Sequence, residues 1–198
     1  TRTDLVTANF SLNTVSVRLG NGDATFQNEL SFAVGTQPNA AAVVDVNGDN
    51  KKDIVAVNNN GTVSVLVGNG NGAFQAQRVF AVGSNPFSVA VGDVNGDDFE
   101  DVGATSFNNT VSLLLSNGDG TLQTQTVFTV GATPFAVIVA DLNGDGRGDI
   151  VSANSAGTVS VLLGNGDGTF QAEQRFTVGG SPNAIITIDL NGDNALDL

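Results

Sequence analysis

The residues with the clearest capacity for chemistry are carboxylates in a nine-residue pattern that occurs four times. The pattern Asp-x-Asn-Gly-Asp-x-x-x-Asp starts at Asp45, Asp93, Asp141 and Asp189, with a constant spacing of 48 residues. Crowded carboxylates repel one another, and hard oxygen ligands of this number suit Ca²⁺, which takes about 6 to 8 oxygens in flexible geometry. Mg²⁺ fits less well because it keeps several waters and requires a tight octahedron. The pattern therefore predicts about one calcium ion per repeat and up to four in the chain.

Each loop supplies side chains at positions 1, 3, 5 and 9, the backbone carbonyl of position 7, and a Gly at position 4 that permits a sharp turn. We expect the Asp at position 9 to bind in a bidentate manner.

An EF-hand loop would need Gly at position 6 and Glu at position 12, and neither is present. One copy could equally be an Asx turn with solvated carboxylates, but four copies in register favour metal sites. The predicted metal ligands are Asp45, Asn47, Asp49, Lys51 and Asp53; Asp93, Asn95, Asp97, Phe99 and Asp101; Asp141, Asn143, Asp145, Arg147 and Asp149; and Asp189, Asn191, Asp193, Ala195 and Asp197.

The four loops differ in net charge. The formal charge of the chain is -13, and twelve of its 20 acidic residues are predicted loop ligands, so four bound Ca²⁺ would leave -5. The first loop nets -1 because Lys51 and Lys52 lie in it, whereas the second nets -5 because Asp98 and Glu100 add to its three ligands. The second site should therefore attract the ion most strongly.

The composition excludes several other kinds of chemistry. The chain has no His, Cys, Met, Trp or Tyr, so it lacks the commonest general base, any thiol nucleophile and any disulfide. An excess of acidic residues disfavours nucleic acid, whose phosphates bind Lys and Arg. The longest apolar stretches are far shorter than the roughly 18 residues that a membrane span needs. We therefore expect no catalytic residues, no enzyme activity, no nucleic-acid partner and no membrane insertion.

The elements that position the loops are short strands. Apolar and polar residues alternate through 62–66 and 158–162, and turn residues bracket each run. We predict four strands per unit, which in the second unit are A (40–45), B (53–57), C (62–67) and D (74–82). Four antiparallel strands in about 48 residues describe one blade of a β-propeller. A parallel β-solenoid is the structural alternative, but its coils usually have much shorter periods.

The predicted fold is therefore an all-β propeller with four-stranded antiparallel blades, in one domain covering residues 1–198. The strand order is BCD, three times ABCD, then A, so pairing the last strand A with the first BCD would complete a fourth blade. Three arrangements stay open: a four-bladed ring, an eight-bladed ring from a homodimer, and part of a longer propeller. Either Asp4 or Asp197 could complete the fourth loop. The missing initiator Met suggests a processed chain or a piece of a larger one.

The turns of an antiparallel meander alternate between the two ends of a blade. The acidic loops and the Gly-Asn-Gly turns should share one face, and we interpret those turns, with Asp119 and Asp167, as hairpins rather than cation sites. The B–C turns and the Val-Gly-x-x-Pro connections should form the opposite face. The candidates for partner contact on that face are Phe10, Phe87, Phe107 and Phe135.

The sequence resembles the FG-GAP and VCBS repeats of integrin alpha chain-like β-propellers from Asp4 to its end. The resemblance is carried by the acidic loop between two strands, by Thr-Val-Ser-Val-Leu-Leu-Gly-Asn-Gly-Asp-Gly-Thr-Phe at 158–170, and by the repeated Phe-x-Val-Gly. It implies Ca²⁺ between the first two strands of a blade, and roles in adhesion, protein binding or carbohydrate binding. Family rings commonly have about seven blades, whereas this chain supplies four.

These features together predict a non-enzymatic, calcium-stabilised module that is secreted or lies at the cell surface and binds a protein or a glycan. The alternative is a carbohydrate-binding lectin, which is disfavoured because Trp and Tyr are absent and the Phe positions vary between repeats. A fragment of a polysaccharide-degrading enzyme is a weaker alternative.

Overall fold

The alternating sequence forms four antiparallel sheets. The structure is a computed structural model that describes residues 2–198, and within that range it contains strands and turns but no helix. The described residues thus include no helix with the length and apolar character of a membrane span. The strands are β1 (Leu5–Asn9), β2 (Thr14–Arg18), β3 (Leu30–Ala33), β4 (Pro38–Val44), β5 (Asp53–Asn58), β6 (Thr62–Leu66), β7 (Arg78–Ala81), β8 (Val89–Gly92), β9 (Asp101–Ser106), β10 (Thr110–Leu114), β11 (Thr126–Thr129), β12 (Pro134–Ala140), β13 (Asp149–Asn154), β14 (Thr158–Leu162) and β15 (Gln174–Thr177).

Three sheets have four strands in sequence order: β4 to β7, β8 to β11 and β12 to β15. Their neighbouring strands are all antiparallel, as predicted for the blades of a propeller. We number the sheets 1 to 4 along the chain, with β1 to β3 as sheet 1. Strand D is shorter than the predicted 74–82, because the segment before Arg78 joins strand C only through the isolated bridge between Gly68 and Phe74.

Sheet 1 has only three strands, in the order β1, β2, β3. Residues 182–188 repeat the sequence pattern of a strand A, but they form no strand, and within them only Ile188 makes a bridge, to Asp197. The predicted pairing of this segment with β1 is therefore not formed in this structure. Ile185 packs instead against the buried cluster of Val151, Val159 and Val161 in sheet 4. The number of blades in the complete ring stays a prediction.

The hydrophobic core lies between successive sheets. One buried cluster joins Val55 and Val63 of sheet 2 to Val102 and Leu114 of sheet 3, and another joins Leu113 of sheet 3 to sheet 4. Strands β5, β9 and β13 are buried along their whole length. Each sheet is therefore stabilised mainly by apolar contact with its neighbours.

The repeated Phe-x-Val-Gly motif forms the junction between neighbouring sheets. The Gly35 backbone N–H donates to Ser64 Oγ of the next sheet at 3.1 Å, and a Cβ on Gly35 would lie only 2.6 Å from Asn58 Cγ. The motif's phenylalanine packs edge-to-face on an aromatic ring of the next sheet, as in Phe32–Phe74, with centroids 5.1 Å apart. The same contacts recur between Gly83 and Ser112, Gly131 and Ser160, and Phe128 and Phe170.

Candidate cation-binding loops

In each acidic loop, backbone N–H groups of the loop donate hydrogen bonds to the carboxylate at position 1. In the first loop, between β4 and β5, Asp45 Oδ1 accepts the Gly48 N–H at 2.8 Å and Asp45 Oδ2 accepts the Asn50 N–H at 2.7 Å. The backbone turns this tightly because Gly48 has φ of 70° and Asn50 has φ of 62°, a region that Gly and Asn tolerate best. The equivalent hydrogen bonds to Oδ1 are Gly96 to Asp93, Gly144 to Asp141 and Gly192 to Asp189.

The residues at positions 3 and 5 are also held by backbone amides. Asn47 Oδ1 accepts the Asp49 N–H at 3.1 Å, and Asp49 Oδ1 accepts the Lys51 N–H at 2.9 Å. The Lys51 N–H, followed by its side chain, lowers the pKa of Asp49 below its usual value. Lys51 Nζ lies 3.1 Å from Asp49 Oδ2, so a cationic side chain already approaches this loop.

In the other three loops Oδ1 of the position 5 aspartate likewise accepts the position 7 N–H, while its Oδ2 contacts the position 3 side-chain amide. The Asn Nδ2 donates to Asp Oδ2 at 2.9 to 3.0 Å in the pairs Asn95–Asp97, Asn143–Asp145 and Asn191–Asp193. Arg147 Nη1 approaches Asp145 Oδ2 at 4.0 Å in the third loop. The second and fourth loops have Phe99 and Ala195 at position 7, so this position brings no cation to them.

The position 9 aspartate has a structural role that the sequence analysis missed. Asp53 is fully buried, and its Oδ2 accepts the Val46 N–H at 3.0 Å while its Oδ1 accepts the Gly68 N–H at 2.7 Å. The carboxylate thereby joins its own loop to the C–D turn of the same sheet. Asp101 and Asp149 are equally buried and make the equivalent bonds. The constant interval of 15 residues from each Asp to its C–D donor is the sequence signal that could have indicated this contact.

Burial of the position 9 carboxylates changes their titration. Burial raises the pKa of Asp101 to about 6, and the negative charges of Asp97 and Asp93 add to the shift. The pKa of Asp53 is raised in the same way, first by burial and then by Asp45 and Asp49. A bound cation would lower these raised pKa values, because it favours the ionised form of a nearby carboxyl group.

The structure places Asp197, rather than Asp4, in the fourth loop. Leu190 N–H donates to Asp197 Oδ2 at 2.9 Å, which reproduces the bond from Val46 to Asp53 in the first loop. Asp4 lies immediately before β1, where its Oδ1 accepts the Gly20 N–H at 2.8 Å. Asp4 therefore makes one of the two bonds of a position 9 aspartate, and Asp197 makes the other.

The donor set of each loop suits Ca²⁺ in chemistry, since carboxylate and amide oxygens are its ligands. Among residues 2–198, however, no group of three or more acidic side chains is gathered closely enough to hold a metal ion. The loop carboxylates are instead occupied by backbone N–H groups, although each carboxylate oxygen can accept more than one hydrogen bond or ligand. Calcium binding, the bidentate position 9 and the position 7 carbonyl ligands therefore stay predictions.

The Gly-Asn-Gly turns are hairpins that lie beside the acidic loops. Asp119 Oδ1 accepts both the N–H and the hydroxyl of Thr121, and the hydroxyl hydrogen bond is the main cause of its lowered pKa. Asp167 makes the same bonds. These turns pack on the loop of the preceding sheet, since Ser116 Oγ donates to the Val46 carbonyl at 2.9 Å. The prediction that loops and turns share one face is confirmed.

Three of the four predicted surface phenylalanines come together. Phe87, Phe107 and Phe135 are mutually edge-to-face, with ring centroids 5.1 to 6.4 Å apart. Phe107 remains 43% exposed, and Phe10, in the B–C turn of sheet 1, is 45% exposed. We call Phe87, Phe107 and Phe135 the phenylalanine cluster.

Comparison with known structures supports the propeller architecture. A crystal structure of BBS1N in complex with ARL6DN, soaked with mercury, matches 93% of this chain and 56% of that chain, with 14% identity and a TM-score of 0.59. The lead-soaked form of the same complex matches 90% of this chain and 53% of that chain, with 13% identity and a TM-score of 0.60. The chain thus spans about half of the length of BBS1N.

A mutant of the NanB sialidase from Streptococcus pneumoniae matches 86% of this chain and 29% of that chain, with 10% identity and a TM-score of 0.61. Identities this low support the fold alone. Comparison with curated proteins gave no match. The sequence itself matches the FG-GAP-like repeat family four times, over residues 1–56, 45–104, 94–152 and 141–198. These four matches span the whole chain and agree with its four sheets, so the protein belongs to the FG-GAP-like repeat family.

Proposed function

We propose that this chain is a calcium-stabilised, non-enzymatic interaction module that acts outside the cell or at its surface. The observation that carries the proposal is the repetition of one oxygen-rich loop at equivalent places in the blades. FG-GAP-like membership and the propeller fold are compatible with a rigid scaffold that presents turns to a partner.

Each loop would hold one Ca²⁺ through its Asp and Asn side chains and its position 7 carbonyl. The ion would supply positive charge to a segment that contains at least three carboxylates. The second loop is the strongest candidate, because its net charge is -5 and Phe99 replaces the basic residue of the first loop. In that loop the pKa of Asp101 is raised because its ionised form is buried and lies near other carboxylates, and a bound cation would stabilise that form.

Isothermal titration of the metal-free chain with CaCl₂ tests this proposal. We expect up to four sites, and Asp97→Asn should weaken the strongest one. Asp119→Asn is the matched control, because Asp119 is an exposed aspartate in a turn on the same face but outside the loops. An absence of heat and of any thermal stabilisation at millimolar calcium would refute the metal proposal.

We further propose that the phenylalanine cluster contributes to the contact with a protein partner. Aromatic residues are enriched where protein interfaces bury their cores, and Phe107 is the most exposed member of the cluster. The BBS1N structures supply a parallel, since that propeller is in complex with a protein, ARL6DN. A glycan ligand is the second candidate, although a cluster made only of Phe offers no polar group to a sugar.

A comparison of wild type with Phe107→Ser separates these candidates. The two chains are first applied to a glycan array, and binding that Phe107→Ser abolishes would favour the lectin. If the array is negative, proteins captured by wild type but not by Phe107→Ser are identified and each is purified and tested for direct binding. Val79→Ser is the control, because Val79 is an exposed apolar residue on strand β7, outside the cluster.

The absence of enzyme activity is part of the same proposal. The aspartate with the most suitable pKa for acid–base chemistry, Asp101, is fully buried, and both of its oxygens accept backbone N–H groups. Hydrolase or lyase activity on any polysaccharide would overturn this part of the proposal.

A further inference from the structure

We propose that the C–D turn of sheet 2 is a site of spontaneous chemical modification, at which Asn69 deamidates first and Asn71 second. This turn has the sequence Gly-Asn-Gly-Asn-Gly-Ala-Phe at 68–74. The proposal does not depend on calcium binding or on the phenylalanine cluster. It rests on the hydrogen bonds that the fold gives to each Asn-Gly pair of the chain.

Deamidation of an Asn-Gly pair requires two groups that can move. The Gly nitrogen loses its proton and attacks Cγ of the Asn side chain, so that a new C–N bond forms and Nδ2 leaves as ammonia, which takes up the released proton. Water then opens the resulting cyclic imide at either carbonyl and gives aspartate or isoaspartate. Gly favours the reaction because it has no Cβ to crowd the attacking nitrogen. A pair therefore reacts readily when neither its Gly N–H nor its Asn side chain is held by a hydrogen bond.

The chain contains ten Asn-Gly pairs, and the fold holds the Gly N–H of six of them. Four of the six lie in the acidic loops, where the position 1 aspartate is the acceptor, as Asp45 Oδ1 is for the Gly48 N–H at 2.8 Å. These pairs are protected because the hydrogen bond must break before the nitrogen can attack. The other two held groups are the Gly61 N–H, which donates to the Asn58 carbonyl at 3.0 Å, and the Gly118 N–H, which donates to Ser116 Oγ at 3.1 Å.

The pairs in the acidic loops are protected on both sides. Asn47 Oδ1 accepts the Asp49 N–H at 3.1 Å, so the side chain that would be attacked is also held. The negative charge of Asp45 in addition opposes the loss of the Gly48 proton. The other three loops repeat these bonds to the position 3 asparagine. The position 1 aspartate thus protects the asparagine two residues after it.

The C–D turns give their pairs less protection. Among residues 2–198, no hydrogen bond is formed by the N–H groups of Gly22, Gly70, Gly72 and Gly166. In three of the four turns a Thr hydroxyl holds the first Asn instead. These bonds run from Nδ2 to Oγ1 in the pairs Asn21–Thr25 at 2.8 Å, Asn117–Thr121 at 2.9 Å and Asn165–Thr169 at 2.9 Å.

Sheet 2 is the exception, because Ala73 occupies the place of that Thr. Within the described residues 2–198, the exposed side chain of Asn69 has no hydrogen bond, and neither has the Gly70 N–H that follows it. Asn71 is exposed as well, but its Oδ1 accepts the Ala73 N–H at 3.1 Å. Asn69 should therefore react before Asn71. The other three turns have Asp at the position of Asn71, so deamidation there to aspartate produces the residue that those turns already contain.

The modification would change the charge beside the first acidic loop. The turn lies against this loop, since a Cβ on Gly70 would be 2.9 Å from Cδ of Lys51. Each deamidated residue replaces a neutral amide with a carboxylate. The modified chain should therefore elute later from an anion-exchange column, which separates it from the unmodified chain.

Peptide mapping by mass spectrometry tests the order of reaction. The folded chain is incubated with EDTA in mildly alkaline buffer at physiological temperature, and samples are digested with pepsin in acid, which halts the reaction. We expect modification at Asn69 first and at Asn71 next, with the four loop asparagines unchanged over that period. The same chain in urea is the control, because all ten pairs lose their protection there and should react at similar rates. Modification of Asn47 before Asn69, or an Asn69 that reacts in urea but not in the folded chain, would refute the proposal.

Ala73→Thr tests the missing anchor, and the fold should accept it because the other three turns have Thr at this place. It should slow the deamidation of Asn69 by about two- to tenfold, as expected for one added hydrogen bond. Thr169→Ala is the reciprocal variant and should accelerate Asn165, whose neighbour Gly166 has an unbonded N–H. Unchanged rates in both variants would contradict the role of the anchor.

Asp45→Ala tests the protection inside an acidic loop. Asn47 should then become modified in EDTA, whereas Asn95 in the second loop should stay unchanged in the same sample. Asp45→Asn keeps an oxygen that can accept the Gly48 N–H, so it should preserve the protection of Asn47. An Asn47 that stays unmodified in Asp45→Ala would show that the aspartate does not protect it.

Discussion

Asp53 and Gly68 are joined by a buried hydrogen bond of 2.7 Å from the Gly68 N–H to Asp53 Oδ1, across 15 residues of sequence. The other oxygen of Asp53 accepts the Val46 N–H, so one carboxylate fixes both the acidic loop and the C–D turn. The last residue of the acidic loop is thus a structural residue whether or not a metal ion is present.

Replacement of Asp53 by Asn should destabilise the fold. The amide has a single carbonyl oxygen, so it leaves either the Val46 or the Gly68 N–H without its buried acceptor, at a cost of about 1 to 3 kcal/mol. Urea unfolding in EDTA measures this difference without any contribution from calcium. Asp49→Asn is the control and should change the free energy of unfolding much less than Asp53→Asn does, because Asp49 is exposed. Equal effects of the two substitutions would contradict this account.

The stability of the metal-free protein should include a component that falls as the pH rises from about 4 to 6. The pKa of Asp101 is about 6 in the folded state, whereas an unfolded Asp titrates near about 3.9. As the pH rises, the unfolded state loses this proton at a lower pH than the folded state does. The free energy of unfolding therefore falls across that window, by up to about 3 kcal/mol. Asp101→Asn should remove this component. Parallel pH curves of unfolding free energy for the two proteins would argue against the shifted pKa.

Removal of calcium should lower the melting temperature markedly. An ion that binds only the folded state stabilises it by about 2.7 kcal/mol per site at 100 times its dissociation constant. Circular dichroism with calcium and with EDTA measures the change, and added MgCl₂ should restore much less stability than CaCl₂. A β-sheet signal and a melting temperature that EDTA leaves unchanged would show that the loops need no ion.

Lys51→Ala should strengthen calcium binding at the first loop. Lys51 Nζ lies 3.1 Å from Asp49 Oδ2 and competes with a cation for that carboxylate. Exposed ion pairs are weak because solvent screens them, so we expect an increase in affinity of only about two- to five-fold. Lys52→Ala is the matched control, because it removes the same charge without removing a direct ion pair with a loop aspartate. Identical affinities for the two variants would indicate a general effect of net charge.

Gly131→Ala should destabilise the junction between sheets 3 and 4. An added Cβ would lie 2.6 Å from Asn154 Cγ, so packed groups must move, at a cost of about 1 to 3 kcal/mol. Gly179→Ala occupies the equivalent motif position but meets nothing within 4 Å in the single chain. Denaturant unfolding should therefore separate the two variants. A larger loss of stability for Gly179→Ala would contradict the described packing.

The sequence was sufficient to predict the features that depend on local pattern. The alternation in 62–66 predicted β6, and the repeat length predicted blades of four strands. The same pattern did not predict that residues 182–188 form no strand, because a strand A forms only where a strand B lies beside it. The bonds of Asp53 could not be predicted from the local pattern, because its contact with the Gly68 N–H forms only when the C–D turn folds back against the acidic loop.

The position of the phenylalanine cluster was predictable only in part. Strand order placed Phe87, Phe107 and Phe135 on one face, but their mutual packing depends on how sheets 3 and 4 meet in three dimensions. Phe107 stays exposed because it follows β9 in a turn, whereas Phe135 lies in β12 and is partly covered.

The junction formed by the glycine N–H and the serine hydroxyl of the next sheet spans 29 residues each time, from Gly35, Gly83 and Gly131. Because every sheet docks on its neighbour through the same atoms, duplication or loss of one 48-residue unit would leave all remaining junctions intact. Such a protein can gain or lose complete repeats during evolution without needing a new contact surface.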